Sequence, residues 1–173
     1  VTTTMISEDG SGNPSNFSVD AIKITPDGRY VLFDGSADNL VANDTNGSSD
    51  VFVRDTFNNT TTRVSVDSAW NEANNSSFAS DITPDGRYIL FESNADNLVA
   101  NDTNMLRDIF VRDTVNNTTV RISIDDSSNE ANNTWTPKWI SDDGRYVLFG
   151  SFANNLVAND TNGQQDVFVR DTT

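Results

Sequence analysis

The chain has 173 residues, 26 acidic and 11 basic side chains, and a formal net charge of −15. A field of that sign repels phosphate backbones and anionic lipid, so nucleic acid and membrane surfaces are excluded as partner classes. The sequence contains no Cys and no His, which excludes disulfides, thiolate chemistry and the most common general base. Cations, basic proteins and neutral ligands such as glycans remain as candidate partners.

One nine-residue segment occurs three times along the chain, at Thr25–Phe33, Thr83–Phe91 and Ser141–Phe149. Its glycines stand at positions 28, 86 and 144, a period of 58 residues. A fixed period of this length indicates a repeat architecture.

The second repeat predicts four strands. Residues 78–82 form a short first strand, and Pro84-Asp85-Gly86 predicts a tight turn. Residues 87–91 are apolar on both faces, which is typical of a buried strand. Residues 108–113 follow as a third strand, and residues 119–125 alternate between polar and apolar, which predicts one exposed face. We therefore expect burial to fall from the second strand to the fourth.

The two ends of the chain complement each other within the repeat. Residues 2–7 align with residues 60–65 and 118–123, the predicted fourth strand. Residues 166–172 align with the third strand, after which the chain stops. We therefore expect one unit over residues 1–173, with repeats at about 17–66, 75–124, and 133–173 plus 1–7.

The Pro-Asp-Gly-Arg-Tyr turn segment and the Asp-x-Phe-Val-Arg-Asp-Thr segment resemble the PD40, or TolB-like, family of WD40-like repeats. This resemblance covers nearly the whole chain in three copies and departs from the family at Asp142, where a proline is expected. It implies an all-β fold, a β-propeller of four-stranded antiparallel blades with three blades per chain. Such repeats occur in unrelated proteins, so the resemblance implies a fold more than a function.

Three blades are too few to close a ring, since propellers usually have about four to eight. We expect the chain to bind itself, and a head-to-tail homodimer with six blades is the favoured arrangement. The alternatives are a nine-bladed trimer, a fragment of a longer propeller, and an engineered or excised set of repeats without a physiological ligand.

Alternating side-chain oxygens in the connection after each second strand resemble the way calcium loops surround a hard cation. The pattern of an EF-hand is not met, because its glycine and glutamate are absent. Asx-turns that bond their own backbone are the alternative interpretation, and the favoured one. The candidate calcium ligands are Asp44, Asn46, Asp50, Asp102, Asn104, Asp108, Asp160, Asn162 and Asp166.

The first strand and the loop before it differ most between the repeats, and they hold every tryptophan and every lysine of the chain. Because the first strand lines the channel of a propeller, these side chains could form a mouth that binds a glycan or a peptide. Sequence drift in surface loops is the alternative interpretation, and the favoured one. The candidate residues are Asp20, Lys23, Trp70, Phe78, Asp81, Trp135, Lys138 and Trp139.

Most aspartates recur in all three repeats, as structural residues would, whereas a catalytic centre needs an asymmetric arrangement. We therefore expect a non-catalytic scaffold that binds a protein or another ligand. The alternative function is the propeller portion of a carbohydrate-active or peptide-processing hydrolase. The Cys-free composition, rich in Asn and Thr, suits a secreted or periplasmic bacterial protein.

Overall fold

The computed structural model describes residues 1–133 and 135–173, with the side chain of Trp135 left out of the description. Within that part of the chain the structure contains eleven strands and no helix, and so no helix that could cross a membrane. The strands are β1 (Val19–Ile24), β2 (Tyr30–Gly35), β3 (Asp50–Asp55), β4 (Thr60–Arg63), β5 (Ser77–Ile82), β6 (Tyr88–Ser93), β7 (Asp108–Asp113), β8 (Thr118–Arg121), β9 (Trp135–Ile140), β10 (Tyr146–Ser151) and β11 (Asp166–Asp171).

These strands form three antiparallel sheets in chain order. The first sheet is β1-β2-β3-β4, the second is β5-β6-β7-β8, and the third is β9-β10-β11. The all-β prediction and the four-stranded antiparallel unit are confirmed for the first two sheets. Residues 1–5 are exposed and form no strand, so the third sheet has no fourth strand within the described chain.

The turn between the first and second strands is built by a side chain. Thr25 Oγ1 donates to Asp27 Oδ1 (2.6 Å) and accepts the Tyr30 amide (2.9 Å). In the third sheet Ser141 Oγ accepts the Tyr146 amide in the same way, at 2.8 Å. The hydroxyl therefore fixes the turn, which explains why the departure from proline at position 142 is tolerated.

Successive sheets pack face to face, the first against the second and the second against the third. Leu32 and Val51 meet Ile89 and Phe91 in the first interface, and a second apolar cluster joins the second sheet to the third. The three sheets do not close on one another. The core therefore consists of the layers between sheets.

The expected decline in burial from the second strand to the fourth was wrong for the third strand. Every residue of β3 and β7 is buried, including Arg54, Arg112 and the aspartates at both strand ends. The loop that follows the preceding fourth strand packs on these strands: Arg112 Nη1 donates to the Asp67 carbonyl oxygen at 3.0 Å. Polar residues at the ends of these third strands therefore indicate buried charged pairs, and not an exposed strand.

Candidate functional site

The first strands hold most of the predicted mouth residues, and two of these residues join all three sheets. Lys23 Nζ in β1 lies 2.5 Å from Asp81 Oδ1 in β5. The other carboxylate oxygen, Asp81 Oδ2, accepts the Ile140 amide of β9 at 3.0 Å. The Asp81 side chain is only 5% exposed. This arrangement gives Asp81 a structural role, since it ties the second sheet to both of its neighbours.

An acidic patch lies at the other end of the first strands, formed by Asp20, Asp34 and Glu92. Asp20 pairs with Asp34 across β1 and β2, and Phe78 pairs with Glu92 across β5 and β6. Burial raises the pKa of Asp34, and the charges of Asp20 and Glu92 raise it further. The Ala79 amide donates to Asp34 Oδ2 at 2.7 Å, which opposes these effects.

A cation and an aromatic ring border this acidic patch. Arg107 Nη1 lies 2.7 Å from Glu92 Oε1, and the Arg107 guanidinium stands 4.8 Å from the Phe78 ring centroid. Sequence reasoning identified Asp20 and Phe78 but missed Asp34, Glu92 and Arg107. The signal was present in the strand register, because residues opposite each other on paired strands share a face.

The remaining predicted mouth residues do not converge with this acidic patch. Lys138 and Trp139 are exposed on β9 in the third sheet. The Trp135 side chain lies outside the described residues. Trp70 lines a separate groove of about 550 Å³ together with Thr45, Arg63 and Glu72. The structure therefore does not bring Trp70 and Trp139 together in one mouth.

The backbone of Trp70 is left-handed, with φ of 68°, a conformation that bulky residues rarely adopt. Its ring covers the buried Arg112 guanidinium, at 4.6 Å from the ring centroid. In the first sheet the equivalent arginine, Arg54, instead forms an ion pair with Glu8 at 2.6 Å. Val66 stands at the position of Glu8 in the second repeat and cannot form that pair. A cation–π contact thus replaces an ion pair.

The candidate calcium loops of the first two sheets each surround an arginine. Arg63 Nη1 lies 3.3 Å from Asp44, 3.5 Å from Asp50 and 2.9 Å from Glu72. The Arg63 side chain is 8% exposed, and those of Asp44 and Asp50 are 3% and 0% exposed. A guanidinium therefore supplies the positive charge between the two carboxylates.

The second sheet repeats this arrangement. Arg121 Nη1 lies 3.2 Å from Asp102, 3.6 Å from Asp108 and 2.6 Å from Glu130. Burial raises the pKa of Asp102 to about 6, and the charge of Asp108 adds to the rise while Arg121 opposes it. The pKa of Asp44 is raised to about 6 by the equivalent causes.

Side-chain amides in these loops follow the Asx-turn interpretation. Asn46 Oδ1 accepts the Ser48 amide at 2.7 Å, and Asn46 Nδ2 donates to the Ala73 carbonyl oxygen at 2.8 Å. In the second sheet Asn104 Oδ1 accepts the Leu106 amide at 2.8 Å, and Asn104 Nδ2 donates to the Ala131 carbonyl oxygen at 3.3 Å. These amides connect the loop to its own backbone and to the next connection.

Within the described part of the chain, the third sheet has the carboxylates of this loop without an arginine beside them. Asn162 Nδ2 donates to Asp166 Oδ2 at 2.9 Å, and Asp160 lies in the same loop. Met5 lies one period before Arg63 and occupies the position equivalent to Arg63 and Arg121. Among the described residues, no group of three or more acidic side chains is arranged to hold a metal ion. The calcium interpretation stays a prediction.

Comparisons with known proteins place the fold among β-propellers. No protein-family model and no curated protein matches the chain. Among solved structures, the chain is similar to the putative TolB from Agrobacterium tumefaciens, with a TM-score of 0.55 and 18% identity over 91% of this chain and 47% of that one.

Two further solved structures come from proteases. The β-propeller domain of the Trilobed protease from Pyrococcus furiosus, described as having an open velcro topology, matches with a TM-score of 0.51 and 21% identity over 91% of this chain and 40% of that one. A prolyl endopeptidase matches with a TM-score of 0.51 and 12% identity over 92% of this chain and 21% of that one. The chain thus spans less than half of each of these propeller-containing proteins and shares their fold.

Proposed function

We propose that the chain is a non-catalytic scaffold made of three PD40-like propeller blades, one for each sheet. The observation that carries this proposal is the equivalence of the arginine–carboxylate clusters. The distances around Arg63 and Arg121 agree within 0.3 Å in all three ion pairs. Side chains that recur in this way stabilise the fold, whereas a catalytic centre needs one asymmetric arrangement of side chains.

The acidic patch is the part that differs between repeats, and we assign ligand binding to it. Gly150 replaces Asp34 and Glu92 in the third repeat, so the patch belongs to the first two sheets. Its carboxylates, the adjoining Phe78 ring and the net charge of −15 favour a basic segment of a partner protein over a neutral glycan. Asp20 is exposed and available to such a partner.

A selection from a random peptide library tests this assignment. We expect Lys- and Arg-containing peptides to be enriched, and their affinity to fall roughly tenfold in the variant Asp20→Asn/Glu92→Gln. Asp142→Asn removes a similar exposed charge from the third sheet and should leave the affinity unchanged. Binding that is equal in all three proteins would contradict the assignment.

The propeller portion of a peptide-processing hydrolase is the second candidate, because two of the similar solved structures come from proteases. The scaffold proposal predicts no turnover of fluorogenic peptides or glycosides by this chain. Turnover that is lost in Asp20→Asn or Asp81→Asn would favour the hydrolase.

The proposed assembly is a ring of two copies placed head to tail, with six blades. Its support is that the three sheets leave both outer faces of the chain open. We also propose a secreted or periplasmic location in a bacterium, on the composition alone. Fractionation of the source cells tests the location.

A further inference from the structure

We infer that the groove beside Trp70 binds a neutral oligosaccharide, one sugar ring of which stacks on the indole. This Trp70 groove is lined by the loop after β2, by β4 and by the connection between β4 and β5. Its volume of about 550 Å³ lies within the range of small-molecule sites. The inference goes beyond the proposed function, since the groove shares no residue with the acidic patch.

Trp70 presents one face of its indole to this groove. The Arg112 guanidinium of the second sheet stands over the ring at 4.6 Å from its centroid, and Arg112 is fully buried. This contact covers one face of the ring, whereas the Trp70 residue as a whole is 51% exposed. The exposure therefore belongs to the opposite face and the ring edge. Because Arg112 holds the ring, the exposed face is oriented before a ligand arrives.

The backbone at Trp70 supports a role beyond covering the arginine. Its φ of 68° is a left-handed conformation, which bulky residues rarely adopt. The equivalent residue one repeat later, Ser128, has φ of 65°, so the loop forms without an aromatic side chain. Backbone strain of this kind concentrates at functional sites, where the surrounding structure holds the residue in place.

Three polar side chains of the groove have hydrogen-bonding groups available to a ligand. Thr62 and Asn43 are exposed, and their side chains have no hydrogen-bond partner among the described residues. Asn71 Nδ2 donates to Asp67 Oδ2 at 2.8 Å, whereas Asn71 Oδ1 has no partner in the described part of the chain. One hydroxyl and two amides thus supply the donors and acceptors that recognise sugar hydroxyls.

The charged groups that line the groove neutralise each other. Arg63 Nη1 lies 2.9 Å from Glu72 Oε2, and the same oxygen accepts the Thr45 amide at 3.1 Å. The net charge of −15 also repels an acidic sugar. An aromatic face with neutral polar groups therefore matches a neutral sugar, whose C–H face packs on the ring while its hydroxyls bond the amides.

The second sheet has a matched groove that lacks the aromatic face. It contains the same arginine, the same glutamate and the same two asparagines, at positions 121, 130, 101 and 129. Two positions that a ligand would contact differ, because Ser128 replaces Trp70 and Val120 replaces Thr62. The second groove therefore lacks both the ring and the hydroxyl, and it provides an internal control.

An array of printed oligosaccharides tests the inference with the whole chain. Its neutral members are built from hexoses and N-acetylhexosamines, and its acidic members also contain uronic or sialic acids. We expect neutral members to retain the protein, and acidic members to retain at least tenfold less. Binding to no neutral member, or a preference for acidic members, would overturn the inference.

Trp70→Ser copies the second groove into the first. Isothermal titration calorimetry uses the neutral oligosaccharide that the array retains most strongly. We expect the association constant to fall at least tenfold, because the sugar loses the ring on which it stacks. Ser128→Ala, at the equivalent position of the second groove, should leave it unchanged. A thermal melt establishes that each variant is folded, and unchanged affinity in folded Trp70→Ser would overturn the inference.

Thr62→Val tests the groove at an exposed residue that has no hydrogen-bonded side-chain partner in the described chain. We expect the association constant for the same oligosaccharide to fall roughly fivefold, because one hydrogen bond to a sugar hydroxyl is lost. Val120→Thr, the reverse change in the second groove, should leave it unchanged. This pair decides the question if Trp70→Ser does not fold, since unchanged affinity in Thr62→Val would then overturn the inference.

The variant Asp20→Asn/Glu92→Gln separates this site from the acidic patch. It should bind the oligosaccharide with the affinity of the wild type, even where its affinity for basic peptides is reduced. A tenfold loss of oligosaccharide affinity in this variant would overturn the assignment to the Trp70 groove. Failure of peptide binding alone would overturn only the function proposed for the acidic patch.

Discussion

The second and third sheets are nearly the same in sequence at their third strands, yet their environments differ completely. Asp-Ile-Phe-Val-Arg-Asp in β7 is buried at every position, whereas Asp-Val-Phe-Val-Arg-Asp in β11 alternates between half-buried and exposed. The difference comes from what covers each strand among the described residues: β7 has a fourth strand and a neighbouring sheet beside it, and β11 has neither. Burial in a repeat protein therefore depends on the adjacent repeat as much as on local sequence.

The carboxylates of the two sheets show the same dependence. Asp102 and Asp108 surround Arg121, which is contributed by β8. Asp160 and Asp166 lack this strand and therefore lack the guanidinium.

Replacing Arg121 with methionine copies into the second sheet the residue found at position 5. We expect Arg121→Met to lower the free energy of unfolding by about 3–5 kcal/mol at pH 7, because buried carboxylates lose their counterion. Arg145→Met, which breaks the exposed pair with Asp171, should lower the free energy of unfolding far less, because solvent screens that pair. Urea titration of both variants checks the difference. Equal losses would contradict the account.

Gly86 and Gly28 separate backbone strain from inter-sheet packing, since their φ angles are 74° and 75°. Gly28→Ala should lower the free energy of unfolding by about 1–2 kcal/mol, because alanine is strained in the left-handed conformation. Gly86→Ala should cost about 1–3 kcal/mol more, because the added methyl meets the Tyr30 ring. Unfolding is measured in dilute protein, where single chains predominate. Equal costs would show that Tyr30 moves aside freely.

The pH dependence of stability should have two opposite limbs. The folded-state pKa of Asp44 and Asp102 is raised to about 6, so their protonation stabilises the fold as pH falls from 7 towards 4, by up to about 5 kcal/mol in total. The pKa of Asp55 is lowered to about 2 by its hydrogen bond with Arg29, so its contribution is lost as pH falls from 4 towards 2. Stability should therefore be highest near pH 4 to 5.

Asp102→Asn should flatten the limb between pH 7 and pH 5, because it removes one of the two groups whose pKa is raised to about 6. Asp55→Asn, which removes a group whose pKa is lowered, should leave that limb unchanged. Urea titrations at a series of pH values provide the measurement. A wild-type stability that falls steadily below pH 7 would contradict the assignment of buried carboxylates to this limb.

Calcium should have the smallest effect, and the calcium interpretation now applies best to the third sheet. Guanidinium groups stand between the carboxylates of the first two loops, but not between Asp160 and Asp166. Millimolar calcium should raise the melting temperature by about 2–4 °C relative to EDTA, by binding the folded state. Asp166→Asn should abolish this rise and Asp44→Asn should not. Equal melting temperatures in calcium and EDTA would remove the metal from the account.

The fold was predictable because three signals agreed: the 58-residue period, the Thr-Pro-Asp-Gly turn and the alternation of apolar residues. Third-strand burial was not predictable from the strand alone, because Arg54 and Arg112 are covered by loops from the preceding repeat. The carboxylates of the arginine–carboxylate clusters were identified from the sequence, but as candidate metal ligands. Arg63 and Asp44 are far apart in the sequence, and the pattern of alternating oxygens directed attention to a metal.

The candidate mouth was predictable only in part. The first strands contain Asp20, Lys23, Phe78 and Asp81, as expected. Sequence variation alone could not distinguish a buried side chain that connects two sheets from an exposed side chain that could bind a ligand. Asp81 is buried and connects sheets, whereas Asp20 is exposed. Trp70 was grouped with the other tryptophans by residue type, although its backbone conformation directs it to Arg112.

The solution mass of the wild-type chain, measured by light scattering on a sizing column, decides whether two copies form the proposed ring. The proposed ring of two copies predicts twice the chain mass of 19.0 kDa. A folded protein of 19.0 kDa at millimolar concentration would contradict the claim. It would leave β11 as a free edge in a stable single chain.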